Sequence, residues 1–298
     1  MLFTETTAPE KRMNLRRALK SGRILRLPGA FNPLSAMLIE KKGFEGVYIS
    51  GSVLSNDLGY PDIGFTTQTE VAHRGRQIAR ATKLPTIIDI DTGFGEPLNV
   101  SRTVQELIEF GLSGCHLEDQ MNPKRCGHLD NKTLVSTEDM LKKIKAASRG
   151  KNLDNNFLII ARTDARASEG LDKAIERAKA YVDAGAEMIF PEALADEKEF
   201  EIFRNKISVP LLANMTEFGK SKLLTTSQLQ NLGFNVVIYP VTLLRLAMKA
   251  AELGLDVISA EGTQESIIKD MQTRKELYEL TRYEEYNSFD KNLYDFKI

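Results

Sequence analysis

Short apolar runs recur along the chain, each leaving into polar or glycine-bearing residues and each followed by apolar positions at helical spacing. Eight runs read as strands: 24–29, 46–50, 85–91, 114–119, 157–164, 187–192, 209–216 and 235–240. Between them, Val104, Leu107 and Ile108 share one helix face, as do Leu171, Ala174, Ile175, Ala178 and Val182. Thr67 followed by Glu70 forms a capping box, and Ala184-Gly185-Ala186 stops a helix. Eight strand–helix repeats predict an α/β fold, a closed (β/α)8 barrel of TIM type, whose active site collects at the C-terminal ends of the strands.

The pattern changes near Leu253-Gly254-Leu255, without a Pro-rich linker or low-complexity stretch. Residues 1–254 read as the barrel. Residues 255–298, with Ile267-Ile268, Met271 and Tyr278 among many charges, read as additional C-terminal helices. They serve either as packing on the barrel or as an arm between subunits.

The expected strand exits carry Ser50, Asp89, Asp91, Glu118, Arg162, Asp164, Glu192, Asn214 and Thr216. Strand alternation puts Asp89 and Asp91 on one face, where two carboxylates repel unless a cation or proton intervenes. Magnesium, or manganese, suits such oxygen ligands and needs only one or two protein carboxylates when water and substrate fill the remaining positions. The plainer alternative is a pair of acids capping a loop. Glu118 and Glu192 add negative charge, and Arg162 offers a planar fork for carboxylate.

Lys124-Arg125-Cys126-Gly127-His128 follows the fourth run. Cationic neighbours favour thiolate, so the expectation is a lowered Cys126 pKa and a thiol able to give its proton to carbon; a solvated basic loop is the alternative. Cys115 and Cys126 are the chain's two cysteines, with no paired spacing of a zinc site or disulfide framework, which suggests free thiols and a reducing compartment. With 40 basic and 41 acidic side chains, the net charge of −1 gives no general attraction to nucleic acid or anionic membrane. The first residues lack a signal-peptide pattern, and no apolar run approaches the ~20 residues of a membrane span, so a soluble cytoplasmic protein is expected.

Through these motifs the chain resembles the isocitrate lyase and phosphoenolpyruvate mutase superfamily over nearly its whole length. The likeness is carried by residues 124–128, Asp89-Ile90-Asp91-Thr92-Gly93-Phe94-Gly95, His116-Leu117-Glu118-Asp119-Gln120 and Ala161-Arg162-Thr163-Asp164. It continues through Phe190-Pro191-Glu192-Ala193, residues 212–219 and Met271-Gln272-Thr273-Arg274. The cysteine motif resembles that of the lyases, whereas the mutases lack it. The resemblance implies a homotetramer with a C-terminal helix exchanged between subunits, bound magnesium, and carbon–carbon cleavage of a tricarboxylate in propionate catabolism.

Carried over by residue, the resemblance makes Asp89 and Asp91 metal ligands and Cys126 the catalytic acid, supported by Lys124, Arg125, His128 and Glu118. Substrate contacts fall to Ser50, Gly51, Ser52, Gly127, Arg162, Glu192, Asn214, Met215, Thr216, Arg245 and Arg274, with Gly127 acting through its N–H. Ser52 departs from relatives, which carry glycine there, and its side chain bears on which substituent the pocket accepts. Tyr48 and Asp62 are candidates for the base that deprotonates the substrate hydroxyl, and residues 120–132 read as a lid over the metal. Isocitrate in place of its methylated analogue, a phosphonate mutase and a non-catalytic carboxylate-binding barrel are the competing readings.

Overall fold

A computed structural model describes residues 5–128, 132–151 and 154–294. It forms all eight expected strands: β1 (Leu25–Pro28), β2 (Val47–Ile49), β3 (Thr86–Asp89), β4 (Gly114–Glu118), β5 (Leu158–Thr163), β6 (Met188–Pro191), β7 (Leu212–Asn214) and β8 (Val236–Tyr239). All pairings between these strands are parallel, in two arcs ordered β2-β3-β4-β5-β6 and β1-β8-β7. Single bridges, Gly29 to Tyr48 and Ile189 to Leu211, join the arcs into a ring.

Alternation along the strands divides the core in two. Leu25, Leu27, Tyr48, Ile87, Leu158, Ile160, Met188, Phe190, Leu212, Val236 and Ile238 fill the barrel interior. Val47, Ile49, Ile88, Cys115, Leu117, Ile159, Ala161, Ile189, Ala213 and Val237 belong instead to the larger cluster beneath the surrounding helices. The helix faces expected from spacing are there: Val104, Leu107 and Ile108 are buried on Pro97–Glu109, and Ala174, Ile175 and Ala178 on Leu171–Asp183. Thr67 and Glu70 form the capping box of Gln68–Ala79. Gly185, at φ 113°, takes the backbone out of the helical region just after Leu171–Asp183.

The ring continues inward-facing positions into its C-terminal rim. Ile87 is followed two residues on by Asp89, His116 by Glu118, Ile160 by Arg162, Phe190 by Glu192, and Leu212 by Asn214. Period-2 geometry therefore turns apolar filling into a set of converging polar side chains without any change in the strands' orientation.

Helix Ala8–Leu19 lies at the opposite end, with fully buried Leu15 inserted among the interior residues. Arg12 donates to the carbonyls of Leu112 at 2.9 Å and Ile108 at 2.6 Å, and to Asp154 at 2.6 Å. Lys11 donates to the carbonyls of Ala79, at 2.8 Å, and Thr82. These cations satisfy carbonyls at and just beyond helix C-termini, where the macrodipole favours positive charge. Arg12→Ala should lower unfolding free energy by about 2–4 kcal/mol, since it strands buried carbonyls and a part-buried carboxylate; chemical denaturation measures this.

The chain divides into two compact units, Met1–Leu243 and Leu244–Ile298. The sequence-based boundary at residue 254 falls inside the helix Thr242–Glu261, which crosses the division. The second unit continues with the 3-10 helix Glu265–Asp270 and the helices Arg274–Thr281 and Tyr283–Tyr294, where Tyr278 stacks on Tyr283 at 4.5 Å. Thr242–Glu261 buries none of its residues, and Leu246, Met248, Leu253, Leu255 and Ile258 are exposed. Among the described residues, no helix is long and apolar enough to cross a membrane.

Candidate active site

Asp89 ends β3, and its carboxylate accepts from the backbone N–H of Gly51 at 3.1 Å and of Asp91 at 3.0 Å. Asp91 is not placed by strand alternation, as its sequence suggested: the strand has already ended, and Asp91 sits at φ 47° at the start of the turn. The turn still brings the two acids together. A methyl group added to Gly51 would lie 2.9 Å from Asp91 Oδ1 and 3.0 Å from Asp89 Oδ2, so both carboxylates crowd the same glycine. Ser50 is buried just before this contact, and Ser52 is half-buried just after it, at the start of helix Gly51–Asp57.

Burial raises the pKa of both acids, but their partners separate them. At Asp89, His116, Lys124 and Arg162 outweigh burial and hold the carboxyl below its usual range. At Asp91, burial and the charge of Asp89 prevail over Lys124, pushing the pKa up to about 6. Asp91 Oδ1 lies 2.9 Å from Lys124 Nζ yet has no aligned hydrogen bond. Such a buried oxygen beside a second carboxylate fits a divalent cation. Among the described residues, no group of three or more His, Cys, Asp or Glu side chains is arranged to hold a metal. A cation here would rest on Asp89 and Asp91, with water and substrate oxygens completing its shell.

Arg162 is enclosed by acids: Asp164 at 2.9 Å, Glu118 at 3.2 Å and Glu192 at 3.3 Å. Its guanidinium rests over the Phe190 ring at 5.1 Å. The fork expected for substrate is thus already engaged, and it acts as the hub that lets these carboxylates stay buried. Glu192 also faces His128 Nε2 at 3.0 Å and Asn214 Nδ2 at 3.4 Å. Burial opposes ionisation of Glu192, but Arg162 and His128 override it and hold the pKa far down. Glu118 goes the other way: burial pushes its pKa well up, and its Oε1 has no hydrogen-bond partner.

The cysteine segment folds onto this rim. Lys124 pairs with Asp62 and Asp91, and burial fails to depress its pKa against four nearby acids. Gln120 brackets Arg125 through its backbone, accepting from the N–H at 2.9 Å and donating to the carbonyl at 2.8 Å, while the Arg125 side chain is exposed. A methyl group on Gly127 would lie 2.4 Å from Arg162 Nη2 and from Glu192 Cγ, so only glycine lets the backbone approach so closely. His128 Nδ1 accepts from the N–H of Lys220 at 2.9 Å.

Cys126 corrects one expectation. Its pKa is raised, because burial outweighs the His128 backbone hydrogen bond and the charge of Arg162. The flanking cations do not act on the sulfur as sequence suggested: Lys124 is neutralised by Asp62 and Asp91, and His128 faces Glu192. The thiol is consequently held protonated. Cys115 is wholly buried under the helices, and burial raises its pKa further.

Tyr48 is a poor base, since its hydroxyl lies 2.7 Å from His116 Nε2 and burial pushes its pKa well up. Asp62 lies at the rim, bound to Lys124. Met215 is buried and its sulfur accepts from the N–H of Leu224 at 3.2 Å; Thr216 is half-buried beside it. Arg245 and Arg274 belong to the second unit. Leu129, Asp130 and Asn131, in the segment expected to act as a lid, lie outside the described residues.

Sequence reasoning missed three supporting residues. Asp119 accepts from Thr163 Oγ1 at 2.7 Å, Tyr181 at 2.8 Å and the N–H of Asp164 at 2.9 Å. Lys132 pairs with Asp164 at 2.8 Å and also donates to the carbonyl of Gly127. His116, 3.6 Å from Asp89, is the third; burial lowers its pKa against the opposing charge of Asp89. Asp119 and His116 stood in a motif already singled out, but Lys132 had no distinguishing local pattern.

Comparison with known proteins gives the family. The phosphoenolpyruvate phosphomutase family profile matches residues 15–258. A probable 2-methylisocitrate lyase of Corynebacterium glutamicum is 56% identical over 99% of this chain and 96% of its own length. The crystal structure of 2,3-dimethylmalate lyase, a member of the PEP mutase/isocitrate lyase superfamily, superposes with a TM-score of 0.90 at 29% identity, covering 97% of this chain and 96% of that one. A phosphonopyruvate hydrolase complex with oxalate and Mg++ gives a TM-score of 0.86 at 31% identity, covering 94% and 98%. By its family profile, a relative similar over nearly the full length and the superposing fold, the chain belongs to the phosphoenolpyruvate mutase/isocitrate lyase superfamily.

Proposed function

We propose that this protein cleaves 2-methylisocitrate to pyruvate and succinate. The observation that carries this reading is the half-buried Cys126 held at the same rim as Asp89 and Asp91, its neighbour Lys124 paired with Asp91 and Gly127 pressed against Arg162 and Glu192, with burial raising its pKa. The 56% identity to the C. glutamicum relative over nearly the entire chain supports the substrate assignment. A mutase reading leaves the acid thiol without a task, and a purely binding barrel leaves both thiol and paired carboxylates unexplained.

A divalent cation, magnesium or manganese, held by Asp89 and Asp91 would supply Lewis-acid charge to the hydroxyl and carboxylate oxygens of the substrate. The hydroxyl proton passes to solvent, the hydroxyl oxygen forms the carbonyl of pyruvate, and the adjacent carbon–carbon bond breaks. The bonding electrons pass to the succinate fragment as an enolate-like carboxylate. Cys126 then transfers the thiol proton to that carbon, and its thiolate regains a proton from solvent before the next turnover. Gly127 brings backbone within reach of the same fragment, while the Arg162–Glu192–His128 cluster fixes the surrounding charge.

We further assign the exposed apolar residues around Thr242–Glu261 to contacts between copies of the chain, in a homotetramer with C-terminal helices exchanged and acting in cytoplasmic propionate breakdown. Its exposed leucines and isoleucine support that assignment.

Side-by-side turnover of 2-methylisocitrate and isocitrate tests the reaction, with higher kcat/KM expected for the methylated acid. One methyl group in an apolar pocket is worth about 1–3 kcal/mol, so the preference should be on the order of 10–200-fold. Exhaustive chelation should abolish turnover, and magnesium or manganese should restore it. Full activity in verified metal-free protein would remove Asp89 and Asp91 from their assigned role.

A further inference from the structure

We propose that Lys132 is a positioning residue that holds the Cys126–Gly127 turn in register with β5. Its side chain is almost fully enclosed, at 2% exposure, and its ammonium has two partners from different parts of the fold. One is the carbonyl of Gly127, immediately after the thiol-bearing residue; the other is the carboxylate of Asp164, 2.8 Å away just beyond β5. Asp164 is itself fixed, since its N–H donates to buried Asp119 at 2.9 Å and its carboxylate accepts from Arg162 at 2.9 and 3.1 Å.

The two attachments work together. Arg162 and Glu192 leave space at Gly127 for hydrogen alone, so the turn must approach them closely, and contact with glycine provides no side-chain anchor. Lys132 anchors the backbone at Gly127 itself through a charge-assisted bond, between the Gln120 bonds to Arg125 and the His128 contacts with Glu192 and Lys220. Its other end rests on an acid that Asp119 holds from behind. Asp119 also accepts from Tyr181 and Thr163, so the chain of contacts ends in the buried scaffold rather than at the surface. The position of the thiol is thereby tied to the residue that orders Arg162.

That this affects catalysis rests on the proposed lyase reaction; the placement of the thiol is independent of it. The test measures iodoacetamide modification of full-length protein by mass spectrometry, reading Cys126 and Cys115 separately, in the parent, Lys132→Met and Lys132→Gln. Cys126 should react about tenfold faster in Lys132→Met, as expected when a local segment loses a charge-assisted anchor, with a smaller increase in Lys132→Gln. Cys115, wholly buried, should stay unmodified in all three. With 2-methylisocitrate, Lys132→Met should lower kcat more than it changes KM, because the proton donor is displaced while substrate contacts remain. A Cys126 rate within about twofold of the parent, in whichever variant folds, overturns the proposal, as does parallel exposure of Cys115 through general loosening. Faster Cys126 modification in a protein whose parent does not cleave 2-methylisocitrate would instead overturn the reaction assignment and leave the anchor standing.

Discussion

Replacing Cys126 by serine is expected to lower kcat by about 10²–10⁴-fold while changing KM little. Serine keeps the approximate size and a hydrogen-bonding atom, but a hydroxyl is a far weaker acid than a thiol, so the carbanion would wait for water. The sign of the pH dependence follows from the same site. Cys126 acts with its proton on, and burial raises its pKa, so the thiol remains competent throughout neutral pH. The loss of activity on the alkaline side should therefore lie above the ordinary thiol value of 9.0 and disappear from the serine variant's residual rate. Steady-state release of pyruvate across pH measures both effects. Near-parental kcat in folded Cys126→Ser would remove the cysteine from the reaction.

Arg162→Met should have the largest effect on stability. The guanidinium faces Glu118, Asp164 and Glu192, each at 1% side-chain exposure or less. Removing it strands buried carboxylates, and breaking such a pair typically costs about 3–5 kcal/mol. Lysine should rescue poorly, because one ammonium cannot reproduce a fork that reaches separate acids. Denaturant unfolding should show this loss, and turnover should fall below detection because Glu192 and Gly127 lose their shared reference point. An unfolding free energy within about 1 kcal/mol of the parent would show that these acids do not depend on Arg162 for burial.

The eight strands and most rim residues were legible because one periodicity encodes both. Apolar alternation identifies each strand's inward face, and extending it by one step reaches Asp89, Glu118, Arg162, Glu192 and Asn214. Asp91 shows where that reasoning ends: it joins Asp89 through a turn with positive φ, which alternation does not describe. The charge state of Cys126 was also illegible locally. Neighbouring lysine and histidine implied a lowered pKa, but acids from elsewhere in the chain, Asp62, Asp91 and Glu192, claim those cations. Lys132 was overlooked for a related reason. Its importance lies in bridging a backbone carbonyl and a carboxylate 32 residues away, a relation without a compositional signature.

The two single-bridge joints of the barrel divide its mechanical labour. Within the five-strand arc, ladders such as Gly114–Glu118 against Leu158–Arg162 make β3 to β6 a stiff plate carrying Asp89, Glu118, Arg162 and Glu192. At Gly29–Tyr48 and Ile189–Leu211 the ladder thins to one bridge, and closure there relies on packed interior side chains. Thermal breathing of the ring would concentrate at those seams, leaving the plate's amide protons the slowest to exchange.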